Sequence, residues 1–104
     1  MKYNKLVRDK IPEIITNSGR KATFRFLTKP EYMEYLEKKL DEEVAEFHDS
    51  KDIGELVDIW EILLAIASAK GTSARRLNDK RLFKYLKNGG FNKRILLLDV
   101  EDET

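Results

Sequence analysis

Four acids constrain this chain more than any other feature: Glu43 and Glu46, then Glu55 and Asp58. Each pair is spaced i, i+3, which puts both carboxylates on one side of a helix. Between the pairs lies a short polar break, His48-Asp49-Ser50-Lys51-Asp52. Read as a helix–helix turn, the break makes the two helices antiparallel. Glu46 and Glu55 then stand equally far from its centre, as do Glu43 and Asp58, so the carboxylates face one another in two rungs. Uncompensated, such a cluster repels itself and shifts its pKa values upward. Hard divalent cations are the ordinary compensation, because Mg²⁺ prefers carboxylate oxygen and Mn²⁺ can replace it. The pattern therefore predicts a magnesium site held by Glu43, Glu46, Glu55 and Asp58, and with it phosphate chemistry.

The apolar pattern agrees with a helix hairpin. Met33, Leu36, Leu40, Val44 and Phe47 make one stripe of a long helix that opens with the capping box Thr28-Lys29-Pro30-Glu31 and runs to about His48. At 100° per residue Glu43 projects within about 20° of Leu36, at the edge of that stripe rather than in water. The next helix spans about Ile53 to Lys70. Ile53, Leu56, Trp60, Leu63, Leu64 and Ala67 form its main apolar face, with Trp60 expected in the core. Ile59, Ile62 and Ile66 form a second face about 130° away. A helix apolar on two sides in so short a chain predicts a second subunit against Ile59, Ile62 and Ile66, hence a homodimer or higher homo-oligomer.

The flanks are simpler. Asp9 and Pro12 are suited to open a first helix that Gly19 ends. Ser73 caps a basic helix that stops at Asn88-Gly89. Ala22 to Leu27 alternates and carries two aromatics, and Arg94 to Val100 is an aliphatic run; both read as strands that pair with one another. The expected architecture is mainly α, an antiparallel helix-hairpin bundle with a minor two-stranded β element, in one domain over 1–104.

Charge is arranged in blocks that the net value of +1 conceals. Residues 31–61 hold three bases and twelve acids, whereas 1–30 hold eight bases and two acids and 62–94 hold nine bases and one acid. An acidic centre between basic arms suits a metal with polyphosphate around it; helices of opposite charge that merely pair would look the same. The near-zero total and the acidic middle argue against a nucleic-acid partner. No apolar run is long enough for a membrane span, the first residues lack an apolar leader, and there is no cysteine, so a cytoplasmic location is expected.

The acidic pairs resemble the hallmark E-x-x-E, spacer, E-x-x-D of the all-α NTP pyrophosphatases, the MazG-like superfamily. Lys5-Leu6-Val7-Arg8-Asp9-Lys10-Ile11-Pro12-Glu13-Ile14-Ile15 and Gly89-Gly90-Phe91 resemble a narrower branch, described as phosphoribosyl-ATP pyrophosphohydrolase-like. The resemblance covers nearly the whole chain; the spacer is short for such proteins, and Asn88 stands where a basic residue is expected. It implies Mg²⁺-dependent hydrolysis of a nucleoside triphosphate or related nucleotide between its α and β phosphates, in a house-cleaning role. Phosphoribosyl-ATP hydrolysis in histidine biosynthesis is the alternative within that class, and a non-catalytic helical dimerisation or regulatory module is the alternative outside it.

Roles follow for the remaining residues. Glu42 or Glu61 is expected to take the proton of the attacking water. Arg8 and Lys10 are candidates for a phosphate clamp, supported by Lys87, Lys93 and Arg94. Gly89 and Gly90 either let backbone N–H groups approach phosphate or only end a helix. Phe47 is a candidate pocket wall, and His48 a surface residue. Asp52-x-x-Glu55 also reads as a capping box, so Glu55 is open to either role.

Overall fold

A computed structural model describes residues 4–102. Four helices form among them: α1 (Ile11–Asn17), α2 (Lys29–Ser50), α3 (Ile53–Ala69) and α4 (Ala74–Asn88). α3 folds back on α2, and α4 packs on α3. No helix among the described residues is long and apolar enough to cross a membrane.

The hairpin is fixed at both of its local boundaries. α2 opens with the expected capping box. The Thr28 hydroxyl accepts the Glu31 N–H at 3.4 Å, and the Glu31 carboxylate accepts the Thr28 N–H at 3.1 Å. Arg25 forks onto the same carboxylate at 3.1 and 2.8 Å and, with the Thr28 N–H, holds it down to about 2. α2 runs on to Ser50, so the break shrinks to Lys51 and Asp52. Lys51 takes the left-handed conformation (φ 59°) and donates its N–H to the Phe47 carbonyl. Asp52 then caps α3 through its carboxylate, which accepts the Gly54 N–H at 2.8 Å.

α1 starts one residue later than its sequence suggests. Lys10, not Asp9, occupies the N-cap and makes no side-chain cap bond, while Pro12 lies in the first turn. Gly19, at φ 86°, follows the helix end as expected.

Two expectations are corrected. First, no strand forms among the described residues, and the pairing of 22–27 with 94–100 is absent. Phe24 and Phe26 lie in irregular chain, with the two rings edge-to-face at 5.9 Å. A strand also needs a partner for its backbone, and local alternation cannot supply one. Second, α3 is turned the other way. Ile62 is buried, Ile59 and Ile66 are half-buried, and Trp60 is 65% exposed with Ile53 at 76%. The reason lies in the acids themselves. Glu55, Asp58, Ile59, Ile62 and Ile66 fall within an arc of about 100° on one helix face. Turning the two acids toward α2 therefore turns the three isoleucines inward as well. Ile53, Leu56, Val57, Trp60 and Leu63 remain open.

Among the described residues the buried core is correspondingly small, consisting of Leu36, Ile62 and Ala67 with the carboxyl-bearing Glu43. The radius of gyration is 18.9 Å, against about 13 Å for a compact domain of this length.

The orientation of α3 is testable. Ile62→Lys should cost at least the ~2–5 kcal/mol of an isoleucine truncation, because it also buries a charge, and should abolish most of the helical circular dichroism. Trp60→Lys should leave the helical signal near that of the unaltered protein. The opposite ranking would restore the first reading of α3.

Candidate metal centre

Glu43 sits one helical turn below Lys39 on α2, on the side that meets α3. It is 7% exposed, the only buried charged residue among those described. Its Oε1 lies 3.7 Å from the Lys39 ammonium. Its Oε2 is buried without a hydrogen-bond partner. From α3, Glu55 and Asp58, both half-buried, each bring a carboxylate oxygen to the same place; with one oxygen of Glu43, all lie within 4.8 Å of one another. The two-residue turn sets this register, and the i, i+3 spacing puts Glu55 and Asp58 on one face.

The electrostatics are those of like charges crowded in a partly dry seam. Burial, and then the neighbouring charge of Glu46, push Glu43 up to about 7. The Lys39 ammonium opposes that shift, and Asp58 adds to it. Glu55 is also raised, first by burial and then by Glu46. Glu46 thus acts on both by charge, but it is exposed and stands outside the close trio. The expected two rungs are realised as three converging carboxylates with a fourth at the rim.

Glu55 has been released from its competing task. The Asp52 N–H donates to the Ser50 hydroxyl, and the first turn of α3 is capped by the Asp52 carboxylate alone. The Asp52–Glu55 capping box does not form, which leaves the Glu55 carboxylate to the cluster.

Among the basic candidates, Arg8 is brought to the site: its guanidinium donates to the Asp58 carboxylate at 2.7 Å. Lys10 instead occupies the exposed N-cap of α1. Lys87, Gly89, Gly90, Lys93 and Arg94 lie at the end of α4 and beyond, and no described hydrogen bond or ion pair joins them to the acids. Phe47 is half-buried one turn after Glu43, and exposed His48 lies beside its ring. Of the two proposed bases, Glu42 is half-buried and lies 3.9 Å from the Lys5 ammonium, whereas Glu61 is exposed.

Lys5, Tyr35, Lys38 and Lys39 are not among the residues that the sequence assigns to the site. With Glu42, Asn4 and Leu6 they line a cleft of about 100 Å³ beside the cluster. The i, i+4 spacing of Lys39 to Glu43 was the available signal.

The donor set is all hard oxygen, and one of its atoms is buried and unpartnered, so these residues fit a magnesium-type cation. No family model matches the chain, and no solved structure matches it. A stretch of 49 residues is 53% identical to an uncharacterised protein of Mycolicibacterium smegmatis, covering 45% of this chain and 50% of that protein. The chain thus spans about half the length of that relative.

The raised carboxyls dictate a pH dependence. Below the ordinary value of 4.5 Glu43 is protonated whether or not the chain is folded. Between 4.5 and about 7 only the unfolded chain has released the proton, so unfolding gains as pH rises. Glu55 contributes in the same sense. In EDTA, Tm should fall across pH 4.5–7 and level above it, and Glu43→Gln should remove most of that slope. A Tm as steep in Glu43→Gln as in the unaltered protein would show that the burial of Glu43 is not its source.

Proposed function

We propose that this chain is a Mg²⁺-dependent nucleotide pyrophosphohydrolase, cleaving a nucleoside triphosphate or related nucleotide between its α and β phosphates. The observation that carries the reading is Glu43, whose Oε2 is buried without a partner and which brings one of its oxygens within 4.8 Å of those of Glu55 and Asp58. An acid held in that position weakens the fold unless a cation completes it. The sequence resemblance supplies the reaction class.

Glu43, Glu55 and Asp58 would hold the cation, with Glu46 at the rim. Magnesium bound there would offset the charge of phosphate oxygens and acidify water. Arg8, already beside Asp58, and the lysines of the adjacent cleft bind and orient the polyphosphate. Water adds to phosphorus, the α–β bridging bond breaks, and the products are a monophosphate and pyrophosphate. Glu42, half-buried at the cleft, is the carboxylate we assign to take the water's proton. A second copy of the chain covers the open face of α3, making the protein a homo-oligomer.

Purified protein with Mg²⁺ should release pyrophosphate from at least one nucleotide in a screen of ordinary and damaged bases, and EDTA should stop it. Orthophosphate as the first product would sink this reaction class. No heat of Mg²⁺ or Mn²⁺ binding in calorimetry would leave the helical module instead. Glu43→Gln and Asp58→Asn should each weaken metal binding and lower turnover by at least about 10²-fold, roughly 2.7 kcal/mol of barrier, with helicity retained. Turnover near that of the unaltered protein in both would remove these residues from the mechanism.

A further inference from the structure

The segment after α4 is an apolar and exposed stretch. Phe91 is 96% exposed, and Ile95, Leu96, Leu97, Leu98 and Val100 are each more than 70% exposed. Acids close the stretch at Asp99, Glu101 and Asp102. Large aliphatic groups in a row do not stay in water when a surface is available to them.

The departure of this arm from α4 is built. Gly89 takes φ 83°, which other residues rarely adopt. At Gly90 a Cβ would come within 3.0 Å of the Tyr85 ring, so the corner is packed against the helix it leaves. The Arg94 N–H then donates to the Phe91 carbonyl at 3.0 Å, with Arg94 left-handed. These features account for Gly89 and Gly90 without phosphate. They carry the arm away from its own α4, since residues 91–102 are all exposed.

A matching surface exists on α4. The helix carries Arg75, Arg76, Lys80, Arg81, Lys84 and Lys87 against the single acid Asp79. Its Leu82, Phe83 and Leu86 are open to solvent. Asp79, Lys80, Phe83 and Lys84 line a shallow groove in which an aromatic floor is flanked by two lysines. The aliphatic residues of the arm suit the Phe83 ring, and its acids Asp99, Glu101 and Asp102, at the end away from Lys93 and Arg94, suit the two lysines.

We infer that the arm 94–102 seats on the Phe83 groove of α4 in a second copy of this chain, with reciprocal exchange of arms. Each copy presents both halves, so a two-fold pair satisfies both arms at once. Lys80 and Lys84 meet the acids of the incoming arm, while Leu96 and Leu98 cover Phe83. The inference does not depend on the metal centre. An assembly through α3 alone would leave the arms free.

The chain contains no cysteine, so introduced thiols are unambiguous. A Phe83→Cys chain and a Leu97→Cys chain, carrying different tags, are mixed and treated with a short bismaleimide at micromolar concentration. Circular dichroism first checks that each variant keeps its helicity. The expected product is a covalent pair of the two different chains. Adding Leu96→Asp and Leu98→Asp to the second chain should lower its yield about tenfold. Cross-linking only like with like, or no link in the mixture, would overturn the exchange. A link within one chain of the double variant Phe83→Cys/Leu97→Cys, without an interchain product, would place the arm on its own α4 and overturn it too.

Discussion

The structure turns on a carboxylate held in the seam between α2 and α3. Glu43 is buried, with one oxygen near Lys39 and the other without a partner. The Lys51-Asp52 turn is too short to allow another register, so Glu55 and Asp58 must arrive opposite it. Their arrival fixes the rotation of α3, which decides which isoleucines are covered. The open face of α3 is thus a consequence of where the acids have to be, not of which apolar residues are largest.

This explains why some of the molecule was legible in the sequence and some was not. The helix boundaries were legible because capping is local: Thr28 with Glu31, Asp52 with Gly54, and Ser73 with Arg76 each act within three residues. The edge-of-core position of Glu43 followed from its projection beside Leu36. The choice between two apolar faces of α3 did not follow from hydrophobicity, since the larger face holds Trp60. It was fixed by the acids on the opposite side, and that constraint was already present in the spacing of Glu55, Ile59 and Ile62.

The strands failed for a different reason. Period-2 alternation reports an extended backbone, and the rings of Phe24 and Phe26 do meet edge-to-face. Pairing is a property of two segments far apart in the chain. The first segment is tied down through Arg25 on Glu31, and the second leaves α4 through the Gly89-Gly90 corner. Nothing in either segment alone encodes that separation. Glu46 shows the same limit on a smaller scale. Its register was right, but an exposed helix position let it stay at the rim.

The compensation of the cluster is incomplete, and the shortfall has a direction. Arg8 reaches Asp58 from outside, with both side chains largely solvated, and such pairs contribute about 0–1 kcal/mol. Lys39 stands 3.7 Å from Glu43, too far for a strong hydrogen bond, and leaves the other oxygen bare. Lys5 reaches only the adjacent Glu42. These cations leave the Oε2 of Glu43 without a partner. A small divalent ion can bring its compensation to the interior of the cluster. The arrangement costs the bare fold some stability, and that cost is concentrated at the buried carboxyl of Glu43.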